Sequence, residues 1–308
     1  MAGETSSSTL SAQIAAAYDT TARYALREVP IFDQFASVKA GSLTNPGTPV
    51  TFHVWTDLAV VTTALNEVTD VTPVQLGSAT KTVTPKEQGM TTVTTAKLRT
   101  DTMLPAFNSD QANIVAFNMA LTVDTLARMA LDGTTEESYV GQATEAAITA
   151  SNILTADVVR QEHANIVTAN VMPFGSDYIW VAHPHAAYDL KSETGDGAWI
   201  GPAQYVNTEK VFNNEVGKFG GFKFIESTRA LLTADAGASA VDTYRNYLIG
   251  QEALAKAVSI PVGIVPGPVI DYLKRLVPLG WYGYFGYDTF RDEAARVVIS
   301  ASSMGANV

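Results

Sequence analysis

The stretch LGWYGYFGYDTF, residues 279–290, sets glycines at 280, 283 and 286 among Trp281, Tyr282, Tyr284, Phe285 and Tyr287. Glycines that cradle a nucleotide phosphate need a strand, a tight turn and then a helix whose N-terminus faces the anion. The spacing here is GxxGxxG, and the residues after it read as a turn and another strand. In an extended run the rings fall on both faces, Trp281, Phe285 and Tyr287 on one, Tyr282 and Tyr284 on the other. The better reading is a strand buried on both sides, its glycines admitting large rings or a neighbouring backbone. GKFGG, residues 217–221, raises the same idea and reads instead as a hairpin turn, because no helix-forming segment comes after it. His183, His185 and Asp189 in VAHPHAAYDL have donor types that zinc or non-haem iron accepts, the set a metal-dependent hydrolase would use. Pro184 suits the first turn of a helix, which would point the two rings apart, and His53 and His163 belong to distant elements. No GxSxG elbow occurs, and Glu136 and Glu137 read as a solvated loop. No catalytic, cofactor-binding or metal-binding set is expected, and no cofactor.

Composition narrows the classes further. The chain has 308 residues, 46% hydrophobic and 17% charged, enough apolar material for about two cores. It has no cysteine, which excludes disulfides, thiolate nucleophiles and cysteine-ligated metals and fits a reducing compartment. The longest mostly apolar stretch, Ala253 to Ile270, holds Lys256 and three prolines and does not suit a membrane-crossing helix. MAGETSSSTLSAQ lacks the basic region and apolar core of a signal peptide, so a soluble chain with no membrane partner is expected. Residues 101–200 carry thirteen acids against three bases, whereas residues 201–308 carry ten of each. Almost all of the net charge of -11 therefore lies in the middle third. Lys274 and Arg275 are the only adjacent basic pair, too little for direct nucleic-acid binding.

These residues are positioned by a mixed set of elements. After a polar leader, Leu10, Ile14, Ala17, Tyr18, Thr21 and Ala25 recur at helical spacing until Pro30, which predicts an amphipathic helix that must lie on another surface. TPVTFHVWTDL alternates as a strand does. Residues 59–100 are dense in Thr and Val and punctuated by Pro73, Gly77, Pro85 and Gly89, the composition of a long two-stranded excursion without a core of its own. Residues 110–134 predict a helix capped by Asp110, stopped by Gly133, apolar nearly all round and so buried on more than one side, with Asp124 and Arg128 as an intrahelical ion pair. Beyond it come a helix over 155–169, a strand over 177–182, a helix opened by Pro184, a hairpin turning at Gly220 and Gly221, a strand at YRNYLIG and a final strand ARVVISAS. This mixture lacks the regular alternation of a doubly wound sheet, so the fold class is α+β.

Taken together, TFHVWTDLAVVTTALNEV at 51–68, KEQGMTTVTT at 86–95, TVDTLARMAL at 122–131, IWVAHPHAAYDL at 179–190, EVGKFGGFKFIES at 215–227 and LGWYGYFGYD at 279–288 resemble the major capsid proteins of tailed bacteriophages. The likeness is to the branch related to the phage N4 coat protein, in forms found in phages of actinobacteria. The resemblance implies the Johnson fold, with residues 1–45 an N-terminal arm and 46–100 an extended loop with flanking peripheral strands. Residues 101–139 would be a peripheral domain with its spine helix, 140–265 an axial domain, and 266–308 a return to the peripheral sheet. It implies hexamers and pentamers of the chain in an icosahedral shell around double-stranded DNA that is not bound by sequence. Its partners would be a portal and separate scaffolding or decoration proteins, and its location the virion, after assembly in the bacterial cytoplasm. A nanocompartment shell of the same fold is the alternative within the class. Some such shells form isopeptide links from a loop lysine; Lys81, Lys86 and Glu87 lie in the corresponding loop and are candidates for inter-subunit contact, with solvated lysines the reading adopted over a covalent link.

Overall fold

The computed structural model describes residues 27–40, 49–65, 67–68, 70–101, 107–193, 218–268, 271–273 and 275–304. The helix expected over residues 9–25 lies outside them. The described chain opens with β1 (Ala36–Ala40), β2 (Val50–Thr56), β3 (Gly77–Val83) and β4 (Lys86–Thr95). Helices α1 (Ala96–Asp101) and α2 (Phe107–Leu131) come next, then β5 (Glu137–Tyr139), α3 (Ala156–Thr168), β6 (Tyr178–Ala182) and α4 (Pro184–Ser192). The rest is strand: β7 (Lys218–Phe219), β8 (Phe222–Glu226), β9 (Leu232–Thr233), β10 (Thr243–Ile249), β11 (Leu254–Pro266), β12 (Leu276–Thr289) and β13 (Ala295–Ser300).

The described residues fall into two compact units. One holds Arg27, Gly89–Met119 and Gly263–Tyr282; the other holds Glu28–Gln88, Ala120–Val262 and the chain from Gly283 onward. The larger unit is built on a seven-stranded mixed sheet of order β5-β13-β10-β6-β8-β7, with β9 on β10. Every residue of β6 is buried, because its two-residue period divides it between two cores. Tyr178, Trp180 and Ala182 join Val159 and Ile166 of α3 and Ala186, Ala187 and Leu190 of α4. Ile179 and Val181 join Ala127 and Leu131 of α2, together with Phe32, Tyr247 and Ile299. The β7–β8 turn is the expected hairpin: Gly220 and Gly221 have φ of +57° and +85°, which a two-residue turn demands and other residues resist.

A second sheet runs β1-β11-β12-β4, and β2 and β3 form a separate two-stranded ribbon. In β12 the glycines do admit backbone. A Cβ on Gly280 would stand 2.5 Å from the Met90 carbonyl oxygen and 2.9 Å from Thr91 Cα, and one on Gly286 would stand 2.7 Å from the Thr84 oxygen. Trp281, Gly283 and Phe285 are buried on one face of β12 and Pro278 and Gly280 on the other, while the rings of Tyr282 and Tyr284 are half-buried. We expect Gly280→Ala to cost about 1–3 kcal/mol, the range for overpacking. Gly263→Ala, where a Cβ meets nothing within 4 Å, should be neutral in the same urea titration.

Helix α2 corrects two expectations. It begins at Phe107, so Asp110 lies in its first turn instead of capping it. Among described side chains only Gln111, Val115, Asp124, Ala127 and Leu131 are buried, while Ile114 and Met129 are exposed. Gln111 and Val115 lie on one side of the helix and Asp124, Ala127 and Leu131 on the opposite side, so the helix is buried on more than one side, as expected, with each side covered in a different half. Asp124 and Arg128 do not pair with each other: Asp124 bonds Arg229, and Arg128 lies 3.8 Å from Asp132. By length and composition alone α2 is long and apolar enough to cross a membrane, yet Asp124 sits within it fully buried and bonded.

Candidate functional site

The chemistry-bearing residues of the sequence are spoken for by the fold, and the feature left unexplained is the ribbon. β2 and β3 pair antiparallel from Val50↔Val83 to Thr56↔Gly77. At the base, Val50, Val83 and Phe52 pack on Ala255, Ala257 and Phe290, with the Phe52 and Phe290 rings 5.3 Å apart. Away from that base burial ends. Trp55, Leu58, Val60, Val61, Leu65, Val71, Val74 and Leu76 are all exposed, Val60 by 86% and Val61 by 81%. The described residues between Thr56 and Gly77 form no helix or strand, so the expected two-stranded excursion is shorter than the Thr/Val run, whose last part joins the four-stranded sheet as β4. Large apolar side chains strung along one segment mark a surface that another molecule covers.

Lys81 stands on β3 opposite Phe52, half-buried, and Lys86 and Glu87 are exposed at the first two positions of β4. Among the described residues none of these three forms an ion pair, and the fold does not bring them into one bonded cluster.

Where the chain enters the ribbon's unit, it is held by a buried carboxylate. Asp124 Oδ1 accepts the backbone N–H of Ile31 at 2.7 Å and of Phe32 at 2.6 Å, and its Oδ2 accepts Arg229 Nε–H at 3.1 Å. Arg229 also donates to Glu28 at 2.9 Å and to the Thr125 hydroxyl. The Ile31 and Phe32 N–H groups, Glu28 and the Thr125 hydroxyl thus satisfy one paired carboxylate and guanidinium, the condition on which a buried pair is tolerated. Sequence reasoning missed this pair; the signal was an Asp inside an otherwise apolar helix. Elsewhere arginines of the final third meet acids of the middle third. Arg245 lies within 4 Å of Asp132, Glu137 and Glu145, and Arg296 bonds Glu136 and Glu162. Burial raises the Asp132 carboxyl above its usual range, against the pull of Tyr247 and the nearby arginines.

The histidine pair departs from expectation in geometry. Pro184 does open α4, but the His183 and His185 rings meet edge to face, centroids 4.8 Å apart. His183 caps the helix, its Nδ1 accepting the His185 backbone N–H at 3.2 Å, while His185 Nδ1 and the Tyr244 hydroxyl lie 2.9 Å apart. Asp189 turns away to accept the Ser303 N–H at 3.0 Å and its hydroxyl. Among the described residues no group of three or more histidine and carboxylate side chains could hold a metal. Burial, and then His185, push the His183 imidazole down to about 4 from 6.5. The unfolded chain therefore takes up this proton first as pH falls, so stability that is full above pH 6.5 declines toward pH 4 and then levels. Because the imidazole is only half-buried, solvent screening keeps the loss well below the full ~1.4 kcal/mol per pH unit. His183→Asn, which keeps a cap acceptor, should flatten that stretch of a urea-midpoint against pH curve.

These features define an α+β subunit whose surface is completed by neighbours. The chain belongs to the phage capsid protein family, whose model matches residues 126–302. It superposes on the capsid of Ralstonia phage GP4 with a TM-score of 0.76, over 94% of this chain and 96% of that one at 13% identity. The cyanophage Pam1 capsid gives 0.75 over 98% and 100% at 14% identity, and the cyanophage P-SCSP1u capsid gives 0.71 over 96% and 95% at 14% identity. No curated protein sequence matches the chain. The fold is the Johnson fold, and the protein is a major capsid protein that associates with its own copies in a virion shell; it is a structural protein and not an enzyme.

Proposed function

We propose that the chain closes as hexamers and pentamers into an icosahedral shell that encloses the double-stranded DNA of a tailed phage without reading its sequence. Residues 1–45 act as the N-terminal arm, 46–100 as the extended loop with its flanking strands, and 101–139 as the peripheral domain with its spine helix. Residues 140–265 form the axial domain, and 266–308 return to the peripheral sheet. The observation that carries this reading is the ribbon, anchored at Val50 and Val83 yet bare from Trp55 to Leu76. Laid across a sister copy, it would bury its apolar side chains there, and a ring of such head-to-tail contacts closes by symmetry. Lys81, Lys86 and Glu87 border the ribbon and contact the neighbour as solvated charges. A portal, a separate scaffold and decoration proteins complete the assembly, which takes place in the bacterial cytoplasm. Negative-stain imaging and sedimentation of the expressed full chain should show capsomer rings or closed particles. A monomer that persists at high concentration would end this reading.

A further inference from the structure

Within the larger unit a cleft of about 260 Å³ lies where the end of α3, the turn between β10 and β11 and the segment leading into β13 meet. The three are tied together there: the Gln251 N–H donates to the Met172 carbonyl and the Gly250 N–H to that of Ala294, both at 2.8 Å. α3 closes on Asn170, left-handed at φ +56°, whose N–H donates to the Val167 carbonyl at 3.0 Å while the Val171 N–H donates to that of Ile166 at 3.4 Å. Ala169, Val171 and Met172 supply apolar lining, and Met172 is left 70% exposed. The charged lining is Glu252, Arg291 and Glu293.

Glu252 breaks a local rule. The Ala253 N–H returns to the Gly250 carbonyl at 3.4 Å and closes a four-residue turn whose third position, Glu252, has φ +61°. Turns that are left-handed at this position carry Gly or Asn there. An L side chain is disfavoured in that region by about five- to thirtyfold. Glu252 reaches Arg291 at 3.0 Å, yet with the two side chains 43% and 50% exposed such a pair returns about fivefold at most. Stability alone therefore favours glycine, and an outlier that lines a cavity points to a use for its side chain.

Charge and shape indicate what that use is. The cleft holds two carboxylates against one guanidinium, and among the described residues Glu293 forms no ion pair. The carbonyl end of α3 adds partial negative charge. One positive charge balances the site, and an aliphatic stem attached to it has Val171 and Met172 to lie against. The volume is below the roughly 300 Å³ at which sites for larger ligands begin, so it suits a single chain end. We propose that the cleft binds an alkylammonium group, its head between Glu252 and Glu293 and its methylenes on Val171 and Met172. A lysine side chain of another protein and a free aliphatic diamine both carry this group.

Saturation-transfer NMR of the full-length chain with butylammonium reads the contact. Its methylene signals should exceed those of uncharged butanol by about fivefold or more, and should fall by about fivefold in Glu293→Gln and in Glu252→Gly, the value of one exposed charge contact. Glu252→Gly should unfold at the parent's urea midpoint or above it, and Glu252→Ala, which keeps the left-handed strain without the pair, below both. Equal signals from butanol, or variants that keep the parent's signal, would overturn the site. A Glu252→Gly midpoint well below the parent's would show that the carboxylate is kept for the fold and overturn the assignment to binding. A lysine-containing tripeptide amide and 1,4-diaminobutane, added as competitors, separate the two sources: tighter displacement by the peptide supports a protein partner, tighter displacement by the diamine a free amine, and displacement by neither overturns the proposal.

Discussion

A chain carrying Val60→Asp and Val61→Asp should fold as its parent does and build almost no particles. Both side chains are more than four-fifths exposed, so the substitution removes no contact within the folded chain. Covered by a neighbour, each valine would contribute about 1.5–3 kcal/mol, and each aspartate would instead have to be desolvated without a partner. A loss of even 4 kcal/mol per contact weakens that contact by about a thousandfold, repeated at every position of a ring. Circular dichroism and the melting curve should be unchanged while particle yield by sedimentation falls at least tenfold. Normal particle yield would show that the ribbon is not a covered surface, and an unfolded variant would show that it packs on its own body.

The second large effect is expected at Asp124. Asp124→Ala strands the Arg229 guanidinium, whose side chain is 10% exposed, and leaves the Ile31 and Phe32 N–H groups without their acceptor. Breaking one partner of such a buried pair costs about 3–5 kcal/mol. Asp124→Asn keeps an oxygen for the two N–H groups and should fall between the parent and the alanine variant in a urea titration. A loss below about 1 kcal/mol for alanine, the value of a surface ion pair, would remove Asp124 from the anchoring of residues 28–35.

The elements with strong local signals were legible in the sequence. α3 carries its Thr155 cap, α4 opens on Pro184, and Gly220–Gly221 turns a hairpin, because each depends on neighbours a few residues away. The reason for the glycines of β12 was also legible, although what they admit, the backbone at Met90 and Thr84, lies about two hundred residues away in the chain. What failed was pairing at long range. The Asp124–Arg128 spacing gave a sound helical rule, yet Arg229, 105 residues on, offers its guanidinium to Asp124 where both side chains are buried, and that wins. The two histidines were expected apart because a helix start separates successive side chains; His183 is instead the cap, and its ring folds back over His185.

The order of the large sheet bears on manufacture. β13 comes last in chain order among the described strands, yet it sits between β5 and β10, pairing with both. On a ribosome adding residues from the N-terminus, β10 can pair with β6 at once but waits for β13 until residue 300 has emerged. A polypeptide cut short before β13 leaves β5 without its sheet neighbour and β10 paired on one side only. Strand placement thus acts as a length check, restricting the building material to subunits whose translation has run past that last strand.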